Sequence, residues 1–81
     1  MGEQHKSMNY LLTIIMCSSV AQTCLPPHAF EELYPDTFSC LSDGYKKSLE
    51  KTIEIGKAEV NEHGIYMKFD CKPVEPEGQA L

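Results

Sequence analysis

The first apolar segment of the chain lies at residues 10–17, which read YLLTIIMC and include three β-branched side chains. A short apolar run without polar alternation is typical of a strand that is covered on both faces. We therefore predict a strand over residues 10–17. Residues 1–9 are polar and show no periodicity, so we expect a flexible N-terminus there.

A second strand is predicted over residues 65–71, where apolar and polar positions alternate. Ile65, Met67, Phe69 and Cys71 would share one face of this strand, because successive side chains point to opposite faces. Residues 72–81 read KPVEPEGQAL and are typical of a disordered tail.

Between the strands, residues 36–62 carry an apolar position at every third or fourth residue, which is the period of an amphipathic helix. Asp36 is a suitable N-cap, Gly64 is a suitable left-handed stop, and we expect the helix to bend or break near Gly56. The apolar stripe of this helix consists of Phe38, Leu41, Tyr45, Leu49, Ile53, Gly56 and Val60.

Residues 18–35 are predicted to be a long surface connection, because Pro26 and Pro27 disfavour both a helix interior and a central strand. Loops of this length are uncommon in compact domains unless they bind something or are pinned. We expect Phe30, Leu33 and Tyr34 to fold inward over the core.

These elements predict an α+β fold: one small β-α-β domain over residues 10–71, with a long amphipathic helix packed on a two-stranded sheet. Two strands joined by a helical crossover in one sheet are expected to be parallel. A chain of 81 residues buries a small core, so we expect cysteine bridges, and completion by dimerisation, to contribute to stability.

One helix covers only one face of such a sheet, and the first strand is apolar on both faces. If Leu11, Ile15 and Cys17 face the helix, the opposite side chains form an exposed apolar patch, which is typical of an interface. This patch predicts self-association or a protein partner. Its candidate residues are Tyr10, Leu12, Ile14, Met16 and Tyr66.

Four cysteines, Cys17, Cys24, Cys40 and Cys71, permit two disulfide bonds. In the parallel arrangement all four sulfurs would gather at one pole of the domain. Proximity then favours the pairs Cys24–Cys40 and Cys17–Cys71. A tetrathiolate zinc site and reduced thiols in a cytosolic protein remain the alternatives.

The net charge of the chain is −5 and it contains no arginine, so we expect no nucleic-acid partner. The apolar run at residues 10–16 is too short to span a membrane. It also resembles a secretory signal ending at Ala21, although cleavage there would remove Cys17. If residues 1–21 are a signal, the expected location is the periplasm or the exterior of the cell.

Cys24 and His28 are close in sequence, as in thiolate nucleophiles, but two prolines separate them and no orienting residue is evident. We therefore predict no catalytic residue, no cofactor and no metal ligand. The leading hypothesis is a non-enzymatic protein interaction module. The alternatives are a thiol redox or zinc-binding protein that uses four clustered cysteines, and an exported small disulfide protein.

The segments YLLTIIMCS, CLPP, YPDTFSCLSDGY and VNEHGIYMKFDC occur in this order between residues 10 and 71. Their order and spacing resemble those of a group of small uncharacterised proteins encoded by marine bacteriophages. The resemblance implies a phage accessory protein made in a bacterial host, and it implies no activity. It also implies the host cytoplasm as the location if residues 1–21 are not a signal.

Overall fold

The computed structural model describes residues 9–74, which form one antiparallel sheet of four strands and two helices. The α+β class, with a long helix against a sheet and two disulfide bonds, is confirmed. The expected flexible N-terminus lies almost entirely outside the described residues, as does the tail beyond position 74. In chain order the elements are β1 Asn9–Ser18, β2 Thr23–Cys24, β3 His28–Tyr34, α1 Thr37–Ile55, α2 Lys57–His63 and β4 Ile65–Val74.

The first strand is the centre of the sheet, because β1 pairs with each of the other three strands. β4 follows β1 along its whole length, from the pair Asn9 and Val74 to the pair Ser18 and Ile65. β2 and β3 pair with successive parts of β1 and so share its other edge. The sheet is therefore three strands wide, with β1 in the middle.

The prediction that residues 18–35 form one long surface loop is wrong, because this segment contains β2 and β3. Pro26 and Pro27 stand immediately before β3, and β3 is an edge strand. A proline is tolerated next to or within an edge strand, where no neighbouring strand requires its missing N–H group. The charged Glu31 and Glu32 also suit an edge, since charge discourages further pairing there.

The expected parallel pairing of the two long strands is also wrong, because β1 and β4 are antiparallel. β3 reverses the chain before α1 begins, so the helical connection joins β3 to β4 and not β1 to β4. β3 and β4 are both antiparallel to β1 and hence run parallel to each other. The crossover geometry applies to that pair, with β1 inserted between them.

The signals at the helix ends act as predicted. The Asp36 carboxylate accepts a hydrogen bond of 2.7 Å from the Ser39 amide, and Gly64 ends α2 in the left-handed conformation with φ of 60°. Gly56 has φ of 96°, which L-residues with a side chain rarely adopt, and it divides the predicted helix into α1 and α2. β4 extends to Val74, three residues beyond the predicted strand.

The core lies between the sheet and the first half of α1. Leu12 and Cys40 are completely buried, Tyr34 is nearly so, and Phe30 and Phe69 pack against them. Of the three loop residues expected to fold inward, Phe30 and Tyr34 do so, whereas Leu33 is 48% exposed.

Candidate functional site

The apolar side chains of α1 point mainly into solvent. Five of them follow one another at steps of three or four residues, so they form one line along the helix. We call this line the α1 stripe. Its members and their exposed fractions are Phe38 79%, Leu41 37%, Tyr45 67%, Leu49 59% and Ile53 68%.

A different face of α1 contacts the sheet. Cys40 is completely buried and is bonded to Cys71 of β4, which fixes the rotation of the helix about its axis. Gly44, one turn further on, lies directly against the ring of Phe69. Small residues thus bring the helix close to β4, and most of the surface of Phe38, Tyr45, Leu49 and Ile53 remains exposed.

The α1 stripe lies on the β4 side of the helix. The rings of Tyr45 and Phe69 pack edge to face, with 4.9 Å between their centroids. On the opposite flank, Lys47 places its ammonium group 5.2 Å from the centre of the Phe30 ring, next to β3. The stripe and β4 therefore form one continuous surface along one side of the molecule.

The β1 side chains that the sequence predicts to form an exposed patch lie on the helix side of the sheet. Leu12 belongs to the core, Tyr10 and Ile14 pack against it, and Met16 lines a groove between the sheet and α1. These four even-numbered residues face the helix. The exposed interface predicted for them is thus contradicted, and among the five candidates only Tyr66 is exposed, at 46%.

One face of the sheet is covered by none of the described elements, and we call it the uncovered face. It carries the odd-numbered residues of β1 and their neighbours. Leu11 and Ile15 are partly buried there, and they pair with Lys72 and Lys68 of β4. Asp70 and Tyr66 are exposed on the same face. A sheet face that mixes apolar and charged side chains is typical of one that faces water.

The two disulfide bonds are Cys17–Cys24 and Cys40–Cys71, so the predicted pairing is wrong. Cys17 and Cys24 are directly opposite each other on β1 and β2. Cys71 lies opposite Leu12, five positions from Cys17 along β1, which corresponds to roughly 17 Å.

The four cysteines therefore do not gather at one pole, because the antiparallel β4 ends where β1 begins. The basis for a tetrathiolate zinc site, or for redox chemistry at four clustered thiols, is lost. Cys24 is held in a disulfide and forms no thiolate pair with His28.

An open groove of about 390 Å³ lies between the sheet and the β3 side of α1. Side chains of β1, β3, β4 and the segment before β3 form its apolar floor, and charged residues of α1 form its rim. Lys47 and Lys51 on the rim pair with Asp43 and Glu54, at 3.4 Å each. The floor consists of Ile14, Met16, Leu25, Phe30 and Met67.

The shifted titratable groups of the described chain form a closed network between β3 and α1. The Tyr34 hydroxyl donates to the Asp43 carboxylate. This hydrogen bond, aided by the nearby charge of Lys47, lowers the pKa of Asp43. Burial, followed by the hydrogen bond to Asp43, raises the pKa of Tyr34. Each group is thus engaged by the other, in a contact that joins β3 to α1.

At the end of α2, Glu59, Glu62 and His63 lie within 4.8 Å of one another, and all three are exposed. The Nε2 atom of His63 lies 3.3 Å from a carboxylate oxygen of Glu59. Exposed acidic groups of this kind are common without a metal, so we assign no metal site to them. In the part of the chain that the structure describes, neither helix is long and apolar enough to cross a membrane.

The α1 stripe was visible in the sequence, but its exposure was not. One signal in the sequence could have shown which face is buried. Cys40 and Gly44 are four residues apart and lie on a different face of the helix from the stripe. A cysteine that bonds to a strand must face that strand.

Comparison of the chain with protein-family models, curated proteins and solved structures finds no significant match to any of them.

Proposed function

We propose that this protein is a non-enzymatic protein–protein interaction module that docks through the α1 stripe, and that it serves as an accessory protein of a bacteriophage. The observation that carries the first part is the exposure of four large apolar side chains, each more than half exposed, on one line of a helix. The second part is supported only by the resemblance in motif order.

Single exposed apolar residues are normal on protein surfaces, whereas a continuous apolar line is typical of an interface. Tyr45, Leu49 and Ile53 are neighbours on successive turns. This spacing matches the anchors by which an amphipathic helix enters an apolar groove or packs on another helix.

A binding function also fits the chemistry of the described residues. All four cysteines are in disulfide bonds, and the perturbed pair Tyr34 and Asp43 is closed upon itself. Disulfides of this kind persist in oxidising compartments. Cleavage after Ala21 would remove β1, the central strand, so a cleaved signal does not accompany this proposal.

Site-specific photo-cross-linking tests the docking surface. A photoreactive amino acid in place of Leu49 is expected to give a defined adduct with a protein, either another protein of the bacterial host or a second copy. The same group in place of Glu54 is the matched control, because its side chain is 71% exposed on the other flank of α1.

An adduct with another protein should be suppressed by excess wild-type chain and not by a variant with Tyr45→Ser and Ile53→Ser. An adduct with a second copy should instead form with the added wild-type chain and not with that variant. Far-UV circular dichroism of that variant would verify its fold. Equal labelling at positions 49 and 54, or no adduct at 49, would overturn the proposal.

A further inference from the structure

β4 presents an unpaired edge along the same side of the molecule as the α1 stripe. Among the described elements it pairs with β1 alone, and its ten residues leave a long row of free backbone groups on the other side. Unpaired edges of this length readily accept a strand from another chain. Natural proteins usually cover, shorten or block them.

The hydrogen bonds of the sheet show which backbone groups reach this edge. The Ser19 amide donates to the Gly64 carbonyl at 2.9 Å, so the odd-numbered residues at this end of β1 direct their backbone groups toward β4. Cys17, two residues before Ser19, also directs its backbone groups toward β4, where it pairs with Tyr66. Since backbone direction alternates along a strand, the odd-numbered residues of β4 direct their N–H and C=O groups to the free edge.

We propose that the partner on this surface is a second copy of the chain, which pairs β4 with β4 in antiparallel orientation about a two-fold axis at Phe69. This inference rests on the proposed function and identifies the protein that binds the α1 stripe. In this register Phe69 lies opposite itself and Met67 lies opposite Cys71 of the second copy. Pro73 lies opposite Ile65, whose N–H donates to the Pro73 carbonyl, so the missing N–H of proline leaves one bond per chain unmade.

The charges on β4 select this register. With the axis at Phe69, Lys68 of each copy lies opposite Asp70 of the other, which gives two attractive cross-strand pairs. An axis at Asp70 would place Asp70 opposite itself and Lys68 opposite Lys72. An axis at Lys68 would place two lysines together. Like charges directly opposite each other destabilise a sheet.

An axis at Cys71 also gives attractive pairs, between Asp70 and Lys72. However, it places Phe69 opposite Pro73, which has no N–H to donate, and it overlaps fewer residues. The Phe69 register lacks the same Pro73 donor, but it combines attractive charge pairs with the longer overlap.

The same two-fold axis brings the two α1 stripes together. An antiparallel continuation of a sheet keeps both helices on one face, because the axis is perpendicular to the sheet. α1 packs on β1 and β4, and neighbouring strands are about 4.8 Å apart. The two helices would thus lie about 10 Å apart, close to the spacing of packed helices. Tyr45, on the β4 flank, would be near the centre of the contact.

Charge reversal provides the test. By sedimentation equilibrium over a wide concentration range, the wild-type chain is expected to be a dimer. Lys68→Asp alone and Asp70→Lys alone should each weaken dimerisation by roughly tenfold or more, since two attractive pairs become repulsive. The double variant Lys68→Asp with Asp70→Lys should dimerise like the wild type.

A mixture of the two single variants sharpens the test. One chain then carries two acidic residues and the other two lysines, so a heterodimer should form on mixing where each variant alone is largely monomeric. The affected side chains are exposed on the uncovered face of the sheet, and loss of the fold is checked by circular dichroism.

The outcomes separate this inference from the proposed function. A monomeric wild type that still gives an adduct at position 49 with another protein would overturn the dimer and support the docking surface. A dimer unaffected by Lys68→Asp would overturn the proposed pairing. A monomer without any adduct at position 49 would overturn both.

Discussion

Gly44 and Phe69 determine how closely α1 approaches the sheet. A Cβ atom at position 44 would overlap the Phe69 ring, because the helix lies directly on that side chain. In an exposed helix, alanine would be more favourable than glycine by about 1 kcal/mol. At this position close packing outweighs helix propensity.

Gly44→Ala is therefore expected to destabilise the protein by about 1–3 kcal/mol, the usual cost of overpacking. Urea unfolding would measure the change. Adding Phe69→Leu should recover part of the loss, because the smaller side chain leaves space for the methyl group. A stabilised Gly44→Ala variant would show that the ring moves aside without cost and would contradict this account.

The pair Tyr34 and Asp43 predicts how stability depends on pH. The pKa of Asp43 is lowered in the folded state, so its contribution is present above its unfolded pKa and is lost as the pH falls through the folded value. The pKa of Tyr34 is raised, so its contribution is present below its unfolded pKa of about 10 and is lost at higher pH.

Asp43→Asn should consequently reduce the loss of stability between neutral pH and acid below about pH 4, as measured by urea unfolding at each pH. It should also lower the pKa of Tyr34 in part, because burial still raises this pKa but the contribution of the Asp43 carboxylate is gone. Ultraviolet titration of the tyrosines would detect the change. Glu31→Gln, at an exposed residue of β3, is the control. Identical acid profiles for wild type and Asp43→Asn would refute the assignment.

At the scale of elements, the two disulfides have different roles. Cys17–Cys24 closes a separation of seven residues and joins adjacent strands. Cys40–Cys71 closes a separation of 31 residues and attaches α1 to β4. Because the entropy removed from the unfolded chain grows with loop length, the second bond should stabilise the fold more.

Replacing both Cys40 and Cys71 by alanine is expected to cost about 3–4 kcal/mol, against about 2 kcal/mol for replacing both Cys17 and Cys24. Urea unfolding of the two double variants would rank them, with the fully reduced wild type as the lower reference. An equal or reversed ranking would show that loop closure does not govern their contribution.

At the scale of the whole molecule, β1 is the element on which the others assemble. It separates β3 from β4 and carries Leu12 into the core, so no described strand would pair with β4 in its absence. This central position also explains why residues 10–17 are apolar, because β1 has neighbouring strands on both edges.

A chain that begins at Gln22 is therefore expected to lack a cooperative thermal transition and to give a disordered circular dichroism spectrum. A chain that begins at Asn9 retains all the described elements and is the matched control. A cooperative transition in the shorter chain would show that β1 is dispensable, and it would restore the cleaved-signal interpretation.

Local signals in the sequence were sufficient for the two long strands, the helix caps and the break at Gly56. Alternation, capping and backbone conformation act within a few residues, so a single sequence contains them in full. The same signals missed β3, since a strand next to prolines is stable only as an edge, and whether a strand is at an edge depends on its neighbours.

The sequence by itself thus determined the class of fold, the positions of the long elements and the existence of an apolar helix stripe. Only the tertiary structure decided the direction of β4, the pairing of the cysteines and the face of α1 that is buried. These three are linked. Once β3 reverses the chain, β4 becomes antiparallel to β1 and brings Cys71 to Cys40. That bond turns the face of the helix with small residues inward and leaves the α1 stripe exposed. The sequence could not determine these features, because the contacts that decide them join residues far apart in the chain.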